Sequence, residues 1–429
     1  MTGQRWLLRG VRLAQPGRPL TEPVDLVLAD GLIAAVVPAG QADPSGLAPG
    51  TKVQVLDGWL VTSALAEPHA HLDKALTVDR VVNRTGDLDG AVAGWMAVDA
   101  PTRYGDLVQR AVSVIRREAA AGVTALRTHV DTGALPGLDP TRTLLALRHD
   151  VAPLVDLQVF PSFGLPITGP DGAPTRRLIA EALELGVDGL GGAPNLDPDP
   201  VAALDIVLKT VKDARVPLDL HTDETLDPDH FLLELIAERA PELGVPVTVD
   251  HVCSLAVQPA VKRTRVAQRL AAAGVKVVTL PQTNLYLQGR QQRSPVARGL
   301  TAVRDLLDAG VTVAGGGDNV GDAFNLVSRA DPLETASLLV AAAHLDLDQA
   351  LELVTTSARA ALGRPPVRLE AGAPADLLVT KATTVQELIA FAPVDRLVFK
   401  AGHVTARTEA ATTLAPLATP LQATYPPST

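Results

Sequence analysis

The sequence has little of several things, and each shortage excludes something. Only 3% of its 429 residues are aromatic and two are methionine. A core must therefore be built from Ala, Val and Leu, and a hydrophobic fraction of 47% supplies enough of them. The single cysteine, Cys253, excludes an internal disulfide and fits a reducing compartment. Basic residues are not in excess: 38 Lys and Arg face 48 Asp and Glu, a net charge of -10. That balance argues against a nucleic-acid partner. Met1 to Gly10 carries no long apolar run, and no stretch of about 20 residues is free of charges and breakers. The expectation is a soluble, cytoplasmic protein that does not enter a membrane. Gly315-Gly316-Gly317 is not followed by Gly-Lys-Ser/Thr, so it is not a phosphate loop.

What is present alternates in two ways. Short Leu/Val-rich segments at Arg5–Leu13, Val24–Leu28, Leu32–Val37 and Val53–Leu56 are separated by turn residues such as Ala29-Asp30-Gly31. The pattern returns at Ala375–Val379, Arg396–Lys400 and His403-Val404. Both chain ends are expected to form one small β-sandwich domain, residues 1–61 with 367–429. Between them, residues 62–366 read as strand, loop, helix, repeated. Strands are expected at Thr124–His129, Val155–Phe160, Gly189–Gly192, Pro217–His221, Val247–His251, Lys276–Thr279 and Thr312–Gly315. Helices are expected between them, among others at Leu107–Ala121 and Pro200–Ala214. About eight such units predict an α/β fold, a (β/α)8 TIM-type barrel, with its chemistry at the C-terminal strand ends. The tail from Leu414 to Thr429 is expected to be loosely ordered.

The strongest local signal is Glu67-Pro68-His69-Ala70-His71-Leu72-Asp73-Lys74. Residues i and i+2 of a strand point to one face, so His69 and His71 can aim two imidazoles at one ion. Alone, His-x-His is weak. His221, His251 and Asp318 strengthen it, because His221 and His251 close expected barrel strands and Asp318 follows Val313-Ala314-Gly315-Gly316-Gly317. His149, His230, His344 and His403 fall away from strand ends and read as surface residues. Cys253 has no base arranged for nucleophilic work. Asp73 and Lys74 read either as pocket rim or as a surface ion pair.

The order His-x-His, His, His, Asp resembles the amidohydrolase superfamily. Arg127–Asp131, Asp156–Pro161, His221–Glu224, Leu287–Arg290 and Ala371–Leu377 make the chain similar, nearly end to end, to bacterial cytosine deaminases and to the isopropylammelide hydrolases of triazine breakdown. The resemblance implies one divalent ion per chain, Zn²⁺ or Fe²⁺, held by His69, His71, His221 and Asp318. Two-metal relatives place a lysine at the end of strand four, where this chain reads Gly189-Leu190-Gly191-Gly192. It further implies Glu224, His251 and Asp318 as catalytic residues acting through water. Ser162, Gln288, Asn319 and Phe324 are expected to read a small heterocyclic substrate. Ser162 and Asn319 stand where cytosine deaminase has a glutamine and a second aspartate, and Phe324 where it has a tryptophan. Cytosine is therefore expected to be a poor substrate. The expected activity is hydrolytic deamination of a cytosine-like nucleobase or related cyclic amidine. The alternatives are hydrolysis of a substituted amine or cyclic amide, and a binding scaffold without catalysis. His129, Asp131 and Arg290 are left with no fixed role, and assembly into a homo-oligomer is left open.

Overall fold

A computed structural model describes residues 4–42, 48–133, 137–294 and 297–415 of the chain. Residues 416–429 of the tail lie outside the described residues.

Five strands come first: β1 (Trp6–Leu13), β2 (Val24–Ala29), β3 (Leu32–Pro38), β4 (Lys52–Val55) and β5 (Leu60–Ser63). Eight follow: β6 (Leu65–Ala70), β7 (Val123–Thr132), β8 (Asp156–Phe163), β9 (Leu190–Gly192), β10 (Leu218–Thr222), β11 (Val247–His251), β12 (Lys276–Thr279) and β13 (Val313–Gly315). Three close the chain: β14 (Leu377–Thr380), β15 (Arg396–Lys400) and β16 (His403–Thr408).

The first five and last three strands form one sheet from both chain ends, in the order β16-β15-β14-β5-β1-β2-β3, with β4 also on β1. Strand β1 pairs with β2 and β4 through its first half and with β5 through Arg12 and Leu13. The two halves so joined enclose one apolar core, in which Leu8, Leu26 and Ile33 meet Val61, Leu377 and Phe399.

Strands β6 to β13 are all parallel and neighbour one another in sequence order. The ring closes where Ala70 bridges Asp318 in parallel register and the Asp318 amide donates to the His69 carbonyl at 3.0 Å. This is the (β/α)8 barrel expected from the alternation. Its helices bury a stripe at 3.6-residue spacing. In the helix Pro200–Ala214, Leu204, Val207, Leu208 and Val211 face inward. Asp199 caps its start by accepting from the Ala202 amide, Pro200 opens it, and Arg215 ends it in the left-handed region. Each buried side chain of that stripe contributes roughly 1.5–3 kcal/mol. At the foot of the barrel, Ala358, Ala361 and Leu362 pack on Ala66, Ala125, Val278 and Ala314. The same segment accepts hydrogen bonds on its last carbonyls from Lys276, Arg127 and Gln158, which tie it to the strands.

Among the elements with no counterpart in the expected set, one bears on the site. The helix α1 (Leu88–Met96) lies between β6 and the helix Leu107–Ala121. It is short and carries Gly90 and Gly94, which weaken any helical signal. It supplies Trp95 to the site described below.

Candidate active site

His69 lies inside β6 and His71 just past it, so both project into the barrel mouth. Their Nε2 atoms are 3.3 Å apart, and Nε2 of His71 is 3.0 Å from Nε2 of His221, which lies in β10. Oδ1 of Asp318 stands 3.5 Å from His69 Nε2 and 3.4 Å from His71 Nε2. A divalent ion with bonds of about 2.0–2.1 Å in tetrahedral geometry separates its ligand atoms by about 3.3–3.4 Å. Four donor atoms therefore converge at ligand spacing. Both Asp318 oxygens are buried without a hydrogen-bond partner in the protein. Facing imidazole nitrogens cannot all satisfy one another, since each neutral ring carries one proton. The donor set fits a divalent cation.

Burial lowers His71 and His221 well below the ordinary histidine range, with the Lys74 charge adding to it at His71 and His69 adding to it at His221. Neutral imidazoles are the ligating form. Burial also pulls His69 down, but Asp250 and Asp318 outweigh it and raise it. Its Nδ1 faces Asp250 Oδ2 at 3.0 Å, which places the proton of the neutral ring on Nδ1. Nε2 of that neutral ring is the nitrogen that faces the cluster.

Glu224 and His251 stand beside the cluster. Oε1 of Glu224 is 3.4 Å from Nδ1 of His251. Burial first, then the nearby Asp318 carboxylate, raises Glu224 well above the usual carboxylate range. Burial drives His251 down to about 3. The Asn284 amide nitrogen lies 2.9 Å from His251 Nδ1, which makes Nδ1 the acceptor and puts the proton on Nε2. That Nε2 is buried without a partner and borders the cavity. The backbone is bent at these strand ends: φ is +52° at Asp223, +64° at His251, +43° at Val252 and +64° at Asp318. Such conformations are costly for residues other than glycine and cluster at functional sites.

The glycines around the site mark close approaches. A Cβ at Gly191 would stand 2.7 Å from His129 Nδ1, and one at Gly192, where φ is +147°, would enter the Phe163 ring. The end of β9 thus has no room for a lysine. Gly316 and Gly317 wrap the Glu67 carboxylate, which accepts from the amides of His69 at 3.1 Å and Gly317 at 2.9 Å. Glu67 was not singled out by the sequence; it pins the two strands where the barrel closes.

A cavity of about 520 Å³ opens over the cluster. Ser162, Asn319 and Phe324 border it, as do His71, His221, Glu224, His251 and Asp318. Gln288 does not. Its side-chain amide donates to the Glu224 carbonyl at 3.1 Å, so it braces the Glu224 loop and is not placed to read a ring. Arg290 is exposed, stacks on Tyr286 and donates to the Tyr286 carbonyl at 2.6 Å, which ties down its own loop. His129 stacks on the His69 ring with centroids 4.2 Å apart and faces Asp219 at 3.4 Å. It buttresses His69. Asp73 and Lys74 are both buried, which removes the reading of a surface ion pair. His149, His230, His344 and His403 are exposed, as expected, and Cys253 is buried with its thiol on the Gly299 carbonyl.

Fold and site together define a barrel hydrolase with a histidine–aspartate cluster able to hold a divalent ion. Residues 114–406 match the amidohydrolase family, and the chain belongs to that family. It is 34% identical over 396 residues to a pterin deaminase of Rhizobium rhizogenes, covering 89% of this chain and 87% of that one. Among solved structures it is similar to a 5-methylcytosine deaminase from Klebsiella pneumoniae, with 28% identity, a TM-score of 0.84, and 95% and 100% of the two chains covered. It is also similar to N-isopropylammelide isopropylaminohydrolase from Burkholderia multivorans, with 28% identity, a TM-score of 0.78, and 94% and 99% covered. The chain is a hydrolase acting on C–N bonds other than peptide bonds.

Proposed function

We propose that this chain is a metal-dependent deaminase that replaces the exocyclic amine of a cyclic amidine by oxygen from water and releases ammonia. The observation that carries the reading is the convergence of four donor atoms at a cavity that a buried carboxyl at Glu224 and His251, with its unpartnered Nε2, also border. His69, His71, His221 and Asp318 would hold one divalent ion, Zn²⁺ or Fe²⁺. Such an ion supplies Lewis acidity and lowers the pKa of water toward about 7. Glu224, raised by burial, takes one proton from the attacking water and returns it to the ring nitrogen beside the amidine carbon. His251 donates its Nε2 proton to the attacking oxygen as charge develops there. Asp318 accepts the second water proton and passes it to the departing amine. One water is consumed, the C–N bond breaks, a C=O bond forms and ammonia leaves.

A cavity of about 520 Å³ is larger than a single pyrimidine ring fills and lies within the usual range for small-molecule sites. Its outer wall is apolar, from Leu88, Val92, Trp95, Met96, Leu165 and Leu196. A two-ring or substituted amidine fits this shape better than cytosine does, and the relative named a pterin deaminase supports that choice. The apolar outer wall also suits an N-alkyl substituent, so release of an alkylamine is the second reading. Among the described residues no helix is long and apolar enough to cross a membrane. The lone buried thiol of Cys253 fits work in the cytoplasm. The test is direct: metal-loaded protein is offered pterin, isocytosine, cytosine and an N-alkylated triazine, and the released amine is identified. Ammonia from a free amidine supports the proposal, and alkylamine alone overturns it in favour of the second reading.

A further inference from the structure

Buried Lys74 and half-buried Asp131 form a pair that the mechanism above does not use. Lys74 Nζ lies 2.6 Å from Asp131 Oδ1, and the Lys74 side chain is only 6% exposed. Asp131 is fixed from its other side, because the Trp95 indole N–H donates to its Oδ2 at 2.8 Å. The Asp131 amide in turn donates to Asp73 at 2.9 Å. Two anchors on one carboxylate stop it from turning. Both Lys74 and Asp131 border the same cavity as Glu224 and the ligand cluster.

The valences of the pair are not filled. An ammonium has three N–H donors, and one goes to Asp131. The next nearest polar atom is His71 Nδ1 at 3.3 Å. If His71 ligates through Nε2, its Nδ1 carries the ring proton and cannot accept. Asp73 at 3.7 Å is too far for a hydrogen bond. Among the described residues the remaining Lys74 donors face only the rings of Trp95 at 5.8 Å and Phe324 at 5.9 Å, at the cavity that Lys74 borders. Each Asp131 oxygen accepts one bond and has capacity for a second. The cavity thus presents a donor and an acceptor side by side, held rigid, next to the ligand His71.

Resting on the deaminase reading, we propose that Lys74 and Asp131 together read a lactam edge, with Lys74 donating to a ring oxo group and Asp131 accepting from the adjacent ring N–H. In a cis-lactam those two atoms are neighbours, which matches the spacing of the pair. The substrate class narrows to amino-oxo heterocycles. A ring amidine with no oxo group leaves the remaining Lys74 donors unmet, with only Asp131 as partner, and a site built around a polar group rejects the analogue that lacks it.

The test compares matched probes: pterin with 2-aminopteridine, and isocytosine with 2-aminopyrimidine. Binding is measured by calorimetry on Zn²⁺-loaded Glu224→Gln protein, in which turnover is held down. The oxo member of each pair should bind about ten- to a hundredfold more tightly, the ratio expected for a hydrogen bond to a charged group. Adding Lys74→Met should bring that ratio toward unity. An oxo preference that is absent from the start, or unchanged by Lys74→Met, overturns the proposal. If Lys74→Met does not fold, the comparison with Lys74 intact still decides, because an oxo preference absent there overturns the proposal. Ammonia release from 2-aminopyrimidine as fast as from isocytosine, in protein with Glu224 intact, sinks the lactam reader and leaves the deaminase standing. Ammonia from none of the probes, with the oxo preference in binding kept, sinks the deaminase and leaves the reader standing.

Discussion

Nδ1 of His69 lies 3.0 Å from Oδ2 of Asp250, and both side chains are wholly buried. The pair fixes the histidine tautomer and so decides which nitrogen faces His71 and Asp318. Asp250→Asn keeps the shape but presents either a weaker acceptor or a donor to the Nδ1 proton. Metal affinity should fall about 10- to 100-fold, the usual cost of losing such a partner. A chelator competition titration of wild type and variant reads this, and an unchanged affinity would mean that Asp250 does not orient the ligand.

Glu224→Gln should keep its metal and its melting temperature yet lose turnover by roughly 10²–10⁴-fold, because an amide cannot carry a proton. Elemental analysis and a rate assay on the same preparation separate the two effects. Activity near wild type would make Glu224 a structural residue.

Gly191→Ala should destabilise the fold by about 1–3 kcal/mol, the ordinary cost of overpacking. The added Cβ would stand 2.7 Å from His129 Nδ1, and His129 stacks on His69, so metal affinity should drop as well. Thermal melting with and without metal measures both. A variant as stable as wild type would show that His129 can move aside at no cost.

Cytosine should be turned over less efficiently than a two-ring amino-oxo heterocycle. It fills less of a 520 Å³ cavity, and Ser162 is too short to present both a donor and an acceptor to its edge as an amide would. A lost polar contact costs roughly 1–3 kcal/mol, and each 1.36 kcal/mol is tenfold in kcat/KM. Side-by-side kcat/KM values decide, and cytosine as the best substrate would overturn the size argument.

Much of this was legible in the sequence, for physical reasons. Strands β11 and β12 have the expected limits, because Val-rich runs bounded by turn residues leave little choice. The ligand-type residues stood out because each closes such a run or follows it within three residues. What was not legible depends on register and on backbone bends. Strand alternation would set Asp250 and His251 on opposite faces, but the φ of +64° at His251 turns the chain so that both serve the site. Gln288 had the right residue type for ring recognition, yet its amide is taken by the Glu224 carbonyl. Trp95 sits on a glycine-containing helix with no strong periodic signal, and its bond to Asp131 spans 36 residues.

Removing the metal is the simplest perturbation. Chelation should abolish activity, and readdition of Zn²⁺ or Fe²⁺ should restore it at one ion per chain, since the end of β9 has no room for a second bridging ligand. Elemental analysis finding two ions per active chain would contradict the single-ion site.

The most direct measurement is ammonia release from pterin by metal-loaded wild-type protein, read against the chelated protein and Glu224→Gln. Stoichiometric ammonia with the oxo product, lost in both controls, is the predicted result. No ammonia from pterin or any other cyclic amidine offered, or equal release by Glu224→Gln, would contradict the assignment of this site as a deaminase.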